Sequence, residues 1–256
     1  SLKCDSFKIT PTRGKGSAET LKQYSIRAGD CILGDRGFSH VAGFAHVRDR
    51  GGHVVVRVNT GGMLLFSLED KPFDLMAELK SLDRAGRTGQ WELVFKDSGG
   101  MAVDGRICAI RKSEQAIALA HKKLKESASK KQKSINPQTF EYAKYVIVFT
   151  TLPERDFSAS EVLEWYRARW QVELVFKRLK TLAGLGHLPK HDEQASRAWL
   201  YGKLFIGLIV EKIIRHANEI SPWGYDLEIF APPEQLAGVL VGVPSSRSRN
   251  SSDSVT

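Results

Sequence analysis

The spacing of apolar and polar residues predicts an α/β arrangement in the first sixty residues. Two apolar runs predict strands, CILGD (31–35) and HVVVRVN (53–59), and the segment SHVAGFAHVRDRG between them suits a helix. SFKIT (6–10) is a further, short strand candidate. The strand at 31–35 ends in Asp35, which the turn residues RGFS follow at once.

From about residue 60 the pattern becomes strand-rich. MLLFSLED, QWELVFKD and RICAIRK are strand-like, and GG, DSGG and DG between them are turn signals that favour antiparallel hairpins. The basic segment 121–133 then holds six Lys and one Glu. Such a run is either a solvated helix or loop, or a surface that contacts the DNA backbone through Lys130, Lys131 and Lys133.

The last part of the chain is mostly helical. YAKYVIVFTTLP predicts a buried strand, after which Ser158 or Ser160 can cap a long helix with Glu161 in its first turn. We expect this helix to run to GLG (184–186) and a second helix to cover about 195–217. The Ser-rich end of the chain predicts irregular to disordered structure.

One face of the long predicted helix carries an unusual mixture of polar groups. At about 100° per residue, five side chains fall within an arc of about 80°. They are Tyr166, Arg169, Glu173, Lys177 and Lys180. A ladder of ion pairs between residues four apart explains part of this face, and a binding site is the alternative.

Composition makes a nucleic-acid partner the first candidate. The 256 residues contain 38 Lys and Arg against 29 Asp and Glu, a formal net charge of +9. The three cysteines are scattered without a C-x-x-C pair, which argues against a disulfide framework or a zinc site and fits a reducing cytoplasm. The longest apolar run is too short to cross a bilayer, so no membrane association is predicted.

Asp35 is the second candidate site residue. A carboxylate at the carboxyl end of a strand in an open α/β sheet commonly faces a ligand crevice. The alternative is a turn-forming Asp that begins the DRG sequence.

These residues together resemble a known family. Tyr166, Arg169, Glu173 and Lys180 meet the pattern Y-x2-R-x3-E-x6-K, and GDRGF stands upstream at 34–38. This order is similar to that of insertion-sequence DDE transposases of the IS-four group, and the resemblance covers roughly residues 1–217.

The resemblance implies a ribonuclease H-like mixed sheet with flanking helices, interrupted by a β-rich insertion. The core would comprise residues 1–60 and 144–217, the insertion 61–143, and an irregular tail 218–256.

The resemblance also implies the chemistry of the site. Asp35 and Glu173 would be catalytic carboxylates that bind Mg²⁺, with Mn²⁺ as a substitute, for phosphoryl transfer by two metal ions. Tyr166, Arg169 and Lys180 would contact one DNA strand, with Lys177 as a weaker contact. The partners would be double-stranded DNA of the transposon ends and target, bound by a homodimer in the nucleoid of a bacterial cytoplasm.

The first catalytic Asp of the family pattern has no counterpart. Asp5 precedes Asp35 by only thirty residues, too few for the strands and helix expected between them. We therefore expect the first core strand or strands to be missing and this fragment to be inactive. The leading hypothesis is a catalytic-domain fragment of a DNA transposase. The alternatives are a non-catalytic DNA-binding remnant of a decayed transposase and a structural α/β domain with an ion-pair ladder.

Overall fold

The computed structural model describes residues 20–61, 64–171, 173, 174, 177 and 192–220. The strand candidate at 6–10, Asp5, Lys180 and the chain beyond 220 lie outside the described residues. The chain divides into two compact units, 1–177 and 178–256. The described part of the second unit consists of one helix.

A six-stranded mixed sheet organises the first unit; a mixed sheet was predicted, but not the number of its strands. The strand order is β1-β2-β6-β5-β4-β3, with β1 and β2 parallel and every other neighbouring pair antiparallel. The strands are β1 Cys31–Gly34, β2 His53–Arg57, β3 Leu64–Phe66, β4 Thr88–Lys96, β5 Ala102–Arg111 and β6 Tyr145–Thr150. Strands β3 to β5 of the predicted insertion therefore extend the sheet that β1 and β2 begin, while the domain boundaries at 60 and 143 stay predictions.

Helices cover both faces of this sheet. On one face lie α1 Val41–Arg48 and α2 Leu75–Lys80, and on the other lies α5 Ala159–Ala168; α3 Glu114–Lys131 and α4 Pro137–Tyr142 also belong to the first unit. The second unit contains α6 Glu193–Ile220. Alternation along β2 separates the two layers: Val54 and Val56 join the cluster that contains Phe44 of α1, and Val55 joins the cluster that contains Val162 of α5. The β-branched run of β2 is thus buried on both faces, as the sequence predicted.

Helix α5 begins as its sequence predicts but ends earlier. Ser158 is the N-cap, and it forms a capping box with Glu161. The helix ends at Ala168, because the amide of Arg169 turns back to the carbonyl of Tyr166 (N···O 3.1 Å). Residues 170, 171, 173, 174 and 177 are helical again. The expected single helix is therefore interrupted at Arg169, and its predicted end at 184–186 lies outside the described residues.

The prediction of a turn at Asp104-Gly105 was wrong. Both residues lie within β5, and the β4–β5 hairpin turns at DSGG (97–100) instead, as predicted for that segment. Close packing explains the glycine: a Cβ on Gly105 would lie 2.5 Å from the carbonyl oxygen of Thr150 and 2.6 Å from the ring of Phe149. Gly105 thus permits the approach of β5 to β6.

Replacing Gly105 with Ala should destabilise the first unit, because backbone and a buried ring must move to admit the methyl group. We expect a loss of about 1–3 kcal/mol in the free energy of unfolding, measured by denaturant titration. Gly61→Ala is the control, since its nearest neighbour would be Asn59 Oδ1 at 3.8 Å. Equal stability of the two variants would contradict this account of Gly105.

Candidate active site

Asp35 occupies the loop that leaves the carboxyl end of β1. Its Oδ1 accepts a hydrogen bond from the amide of Gly37 (2.9 Å) and so caps the 3₁₀ turn Arg36–Phe38. The preceding Gly34 is buried, and a Cβ there would lie 3.0 Å from Val56 and 3.2 Å from Phe38. The turn-forming interpretation of Asp35 is therefore correct, and it fixes the carboxyl group next to the sheet.

An apolar cluster brings α5 onto the sheet face that β1 shares. Val162 and Tyr166 of α5 pack with Val55 of β2 and Val148 of β6. Cys31 and Leu33 of β1 also pack against this cluster, and Asp35 follows Leu33 by two residues. The strand that ends before Asp35 and the helix that carries Tyr166 are thus parts of one packed layer.

The polar face of the helical segment is held by one ion pair. Arg169 Nη2 donates to Glu173 Oε1 at 2.5 Å, and the guanidinium lies 5.5 Å from the ring centre of Tyr166. Partial burial lowers the pKa of Arg169, but Glu173 and Tyr166 raise it by more, so the pKa lies above its usual value. Among the described residues no ion pair joins Glu173 to Lys177, so this part of the chain contains only the first rung of the predicted ladder.

Two polar atoms beside this ion pair lack a partner. Within the described part of the chain, the buried Tyr166 hydroxyl and the buried Arg169 Nε meet no partner in good hydrogen-bonding geometry, although Tyr166 lies close enough to Arg169 to raise its pKa. A buried donor left unsatisfied costs about 1–3 kcal/mol.

Three cations that the sequence analysis missed lie close to this region. Burial lowers the pKa of Arg36, the charge of Arg57 lowers it further, and Tyr166 raises it. Burial also lowers the pKa of Lys112 to about 8, with further lowering by Arg57 and Arg36. Among the described residues none of the three forms a salt bridge, although Lys112 Nζ donates to the carbonyl of Ala143 (2.6 Å). We call Arg36, Arg57 and Lys112 the cation cluster.

A sequence signal for one member of the cation cluster was present. Arg57 interrupts the β-branched run HVVVRVN at the position that alternation assigns to the same face as Val55. A charged side chain at such a position needs a partner or a functional explanation. Lys112 has no comparable signal, because only the pairing of β5 and β6 brings the end of β5 towards this edge of the sheet.

The remaining predicted contacts are distributed over other surfaces. Lys130 and Lys131 lie in the last turn of α3, and Lys133 follows the left-handed Gln132 (φ 50°). These three side chains are exposed, and Ile117 is the one buried residue of α3, so the basic segment begins as a solvated helix. Lys177 is also exposed.

Asp35 and Glu173 have the donor chemistry of a divalent-metal site but do not complete one. Carboxylate oxygens suit hard cations such as Mg²⁺. One oxygen of Asp35 accepts from Gly37 and one of Glu173 accepts from Arg169, so each carboxylate retains a second oxygen. Among the described residues no group of three His, Cys, Asp or Glu could hold a metal ion. Each of the two carboxylates thus has an oxygen available for a hard cation.

None of the helices in the described ranges has the length and hydropathy needed to cross a membrane.

Comparison with known proteins identifies the family. Residues 8–208 match the family described as "Transposase DDE domain". The chain is 29% identical over 221 residues to the putative transposase InsL for insertion sequence element IS186A of Escherichia coli (strain K12), which covers 84% of this chain and 59% of the relative. It is also 29% identical over 221 residues to the transposase for insertion sequence element IS421 of Escherichia coli, covering 84% and 58%. The chain thus spans less than two thirds of these relatives' length, and it belongs to the transposase DDE domain family.

Proposed function

We propose that this chain is the catalytic-domain portion of a DNA transposase of the IS-four group, which cuts and joins transposon-end DNA by phosphoryl transfer with two metal ions. The observation that carries the proposal is the shared apolar cluster, because it joins the strand before Asp35 to helix α5, which carries Tyr166 and ends just before Arg169. Leu33 and Tyr166, which lie 133 positions apart in the sequence (166 − 33), pack in this one cluster. The mixed sheet flanked by helices is compatible with a ribonuclease H-like core.

Asp35 and Glu173 would hold Mg²⁺, with Mn²⁺ as a substitute. When bound, the metal ions supply positive charge that stabilises the attacking and leaving oxygens of an in-line displacement. To form this site, Glu173 must either bind the metal ion and Arg169 at the same time or leave Arg169 in order to bind the metal ion. The exposure of the Glu173 side chain, 52%, leaves it accessible for that exchange.

Arg169 and Tyr166 would bind a DNA phosphate beside the carboxylates. The guanidinium already donates from Nη2 to Glu173, and Nε has no partner in the described part of the chain. A phosphate oxygen at Nε would satisfy this buried donor, and the Tyr166 hydroxyl could donate to a second oxygen. Lys177 and Lys180 would contribute point charges along the same helical segment.

The cation cluster and α3 would bind the DNA backbone more widely. Arg36, Arg57 and Lys112 repel one another and form no salt bridge with a described carboxylate, so a phosphate would relieve their repulsion. Lys130, Lys131 and Lys133 lie on an exposed surface where such contacts cost little to form.

The partner would be double-stranded DNA of transposon ends and target, in the bacterial nucleoid. A homodimer that pairs two ends is part of the proposal, and light scattering on two-ended DNA would contradict it by finding one protomer.

The alternative function is a DNA-binding remnant without catalysis. The contact that favours it is the Arg169–Glu173 ion pair, since it gives Glu173 a role that needs no metal. The cation cluster is equally independent of metal ions.

Glu173→Gln separates these functions. In a longer protein that supplies the third carboxylate, the substitution should abolish metal-dependent DNA cleavage while DNA affinity stays nearly unchanged, because the amide keeps the shape but loses the charge that holds the cation. Gel-based cleavage and fluorescence-anisotropy binding measure the two effects. Glu164→Gln on exposed α5 surface is the control and should cleave normally.

Arg169→Lys adds a second comparison. If Arg169 binds a phosphate, the Arg169→Lys protein should lose much of its DNA affinity, since Lys cannot donate two parallel hydrogen bonds. If Arg169 only pairs with Glu173, Lys at this position should be tolerated. If Glu173→Gln instead retains cleavage and only lowers stability, Glu173 serves as the ion-pair partner of Arg169 and not as a catalytic residue.

DNA affinity should depend on the charge of Lys112. Because its pKa is lowered to about 8, Lys112 loses its proton as the pH rises from 7 to 9, and its attraction for phosphate is lost in the same range. Lys112→Gln should remove this part of the pH dependence.

The stability effect of Lys112 has a defined sign. A lysine whose folded-state pKa lies below the unfolded value near 10.4 binds more protons when unfolded, so its contribution to stability rises with pH from about 8 to 10. Lys144→Gln is the control variant for the measurements at Lys112, because Lys144 pairs with Glu141 at 2.7 Å.

If DNA affinity depends on pH in the same way for the wild type and for Lys112→Gln, Lys112 takes no part in DNA binding.

The α3 lysines should set part of the salt dependence of binding. Each phosphate contact contributes about −0.9 to the slope of log affinity against log salt. Replacing Lys130, Lys131 and Lys133 with Gln should therefore flatten the slope. The exposed Lys22, Lys71 and Lys80, replaced together, give the same change of net charge as a control. If both triple variants have the same slope, the basic segment 121–133 is a solvated surface that does not contact DNA.

A further inference from the structure

Arg106 is a buried charge that the proposed function does not use. It lies on β5 with 2% of its surface exposed, opposite Thr150 of β6. Taking a guanidinium out of water is costly unless its donors find acceptors in good geometry. The contacts of Arg106 therefore indicate what offsets that cost.

The guanidinium closes the loop that connects β6 to α5. Nε donates to the carbonyl of Leu152 (3.1 Å), and Nη2 donates to the carbonyl of Phe157. These carbonyls stand at the two ends of the six-residue loop 152–157. Inside it, the amides of Asp156 and Phe157 turn back to the carbonyl of Pro153 at 3.3 and 3.1 Å. Arg106 thus holds both ends of the loop with one rigid side chain.

A third contact ties the loop to strand β4. Arg106 Nη1 donates to Gln90 Oε1 (2.7 Å), and Gln90 Nε2 donates to Glu154 in the middle of the loop. The start of the loop is fixed separately, because the amide of Leu152 donates to Thr150 Oγ1 (3.1 Å). Strands β4, β5 and β6 therefore all determine the position of this loop.

The loop in turn determines where α5 begins. Phe157 directly precedes the N-cap Ser158, and its ring packs edge-on against Trp165, one turn before the end of the helix (centroids 5.1 Å apart). A displacement of the Phe157 carbonyl would shift both the cap and this aromatic contact. Tyr166 and Arg169 lie eight and eleven residues after the cap, so a shift at the start of α5 is carried to them through the helix.

We propose that Arg106 is a positioning residue, which locks the loop 152–157 and thereby places Tyr166 and Arg169 for contact with DNA phosphate. This inference rests on the proposed function of the two residues. The requirement is specific for arginine, because the planar fork reaches three acceptors in different directions, whereas the single nitrogen of Lys cannot span both ends of the loop.

Hydrogen exchange measured by mass spectrometry tests the first step in this chain of 256 residues. In Arg106→Lys, amides of α5 should exchange about tenfold to a hundredfold faster, as expected when hydrogen bonds to a charged group are lost, with α1 changed much less. Arg111→Lys is the matched control, since Arg111 lies on the same strand and pairs with Glu114 of α3 instead. Uniform acceleration in α1 and α5 would overturn the proposal by making Arg106 a general core residue.

A double-mutant cycle on DNA affinity tests the second step. If Arg106 acts through α5, Arg169→Gln should weaken binding by at least about twofold less in the Arg106→Lys background than in the wild type. Additive losses would overturn the positioning role. Selective exchange in α5 with no effect of Arg169→Gln in either background would instead overturn the proposed DNA site, while the loop clamp would stand.

Gln90→Leu provides a milder variant if Arg106→Lys does not fold. It removes one of the three acceptors and leaves Arg106 and both loop carbonyls in place. The same selective exchange in α5 is expected with a smaller amplitude. Unchanged exchange in α5 would show that β4 takes no part in the clamp and would overturn that part of the proposal.

Discussion

The packing of α5 on the sheet is the constraint on which the candidate site depends. Val55, Cys108 and Val148 present one sheet face, and Val162 and Tyr166 fill it from the helix. Each buried aliphatic side chain of this kind contributes about 1.5–3 kcal/mol relative to exposure. Without this layer, Asp35 and Arg169 would belong to a loop and a helix with no fixed relation. The apolar cluster therefore fixes the strand and the helix that carry or adjoin the candidate site residues.

The sequence predicted the parts of this arrangement that local patterns encode. The β-branched run of β2, the capping box at Ser158 and Glu161, and the turn that Asp35 caps each follow from a few neighbouring residues. The i,i+4 contact of Arg169 with Glu173 also follows from spacing alone. These features needed no knowledge of the rest of the chain.

Features that depend on strand pairing could not be predicted in the same way. Asp104-Gly105 has the composition of a turn, yet the glycine serves the approach of β5 to β6, which is a contact across 45 positions. Arg106 looks like an ordinary strand residue until its carbonyl acceptors on the loop after β6 are known. The cation cluster likewise joins three separate segments, 36, 57 and 112, and only Arg57 stands out locally. For Gly105, Arg106 and the cation cluster alike, the decisive contacts depend on which strands pair and in which register.

Whether a buried cation has all its hydrogen-bond acceptors inside the fold distinguishes a structural arginine from a candidate ligand-binding one. Arg106 is buried and has three neutral acceptors, so its charge is used inside the fold to hold a loop. Arg169 retains a buried Nε without a described partner, and the cation cluster retains charges without a described carboxylate. The Arg169–Glu173 ion pair, with the Arg169 side chain 19% and the Glu173 side chain 52% exposed, uses Nη2 and leaves the buried Nε beside it without a described partner. An external anion at the end of α5, as proposed for a DNA phosphate, would both satisfy the open donor and offset the charge of the cation cluster.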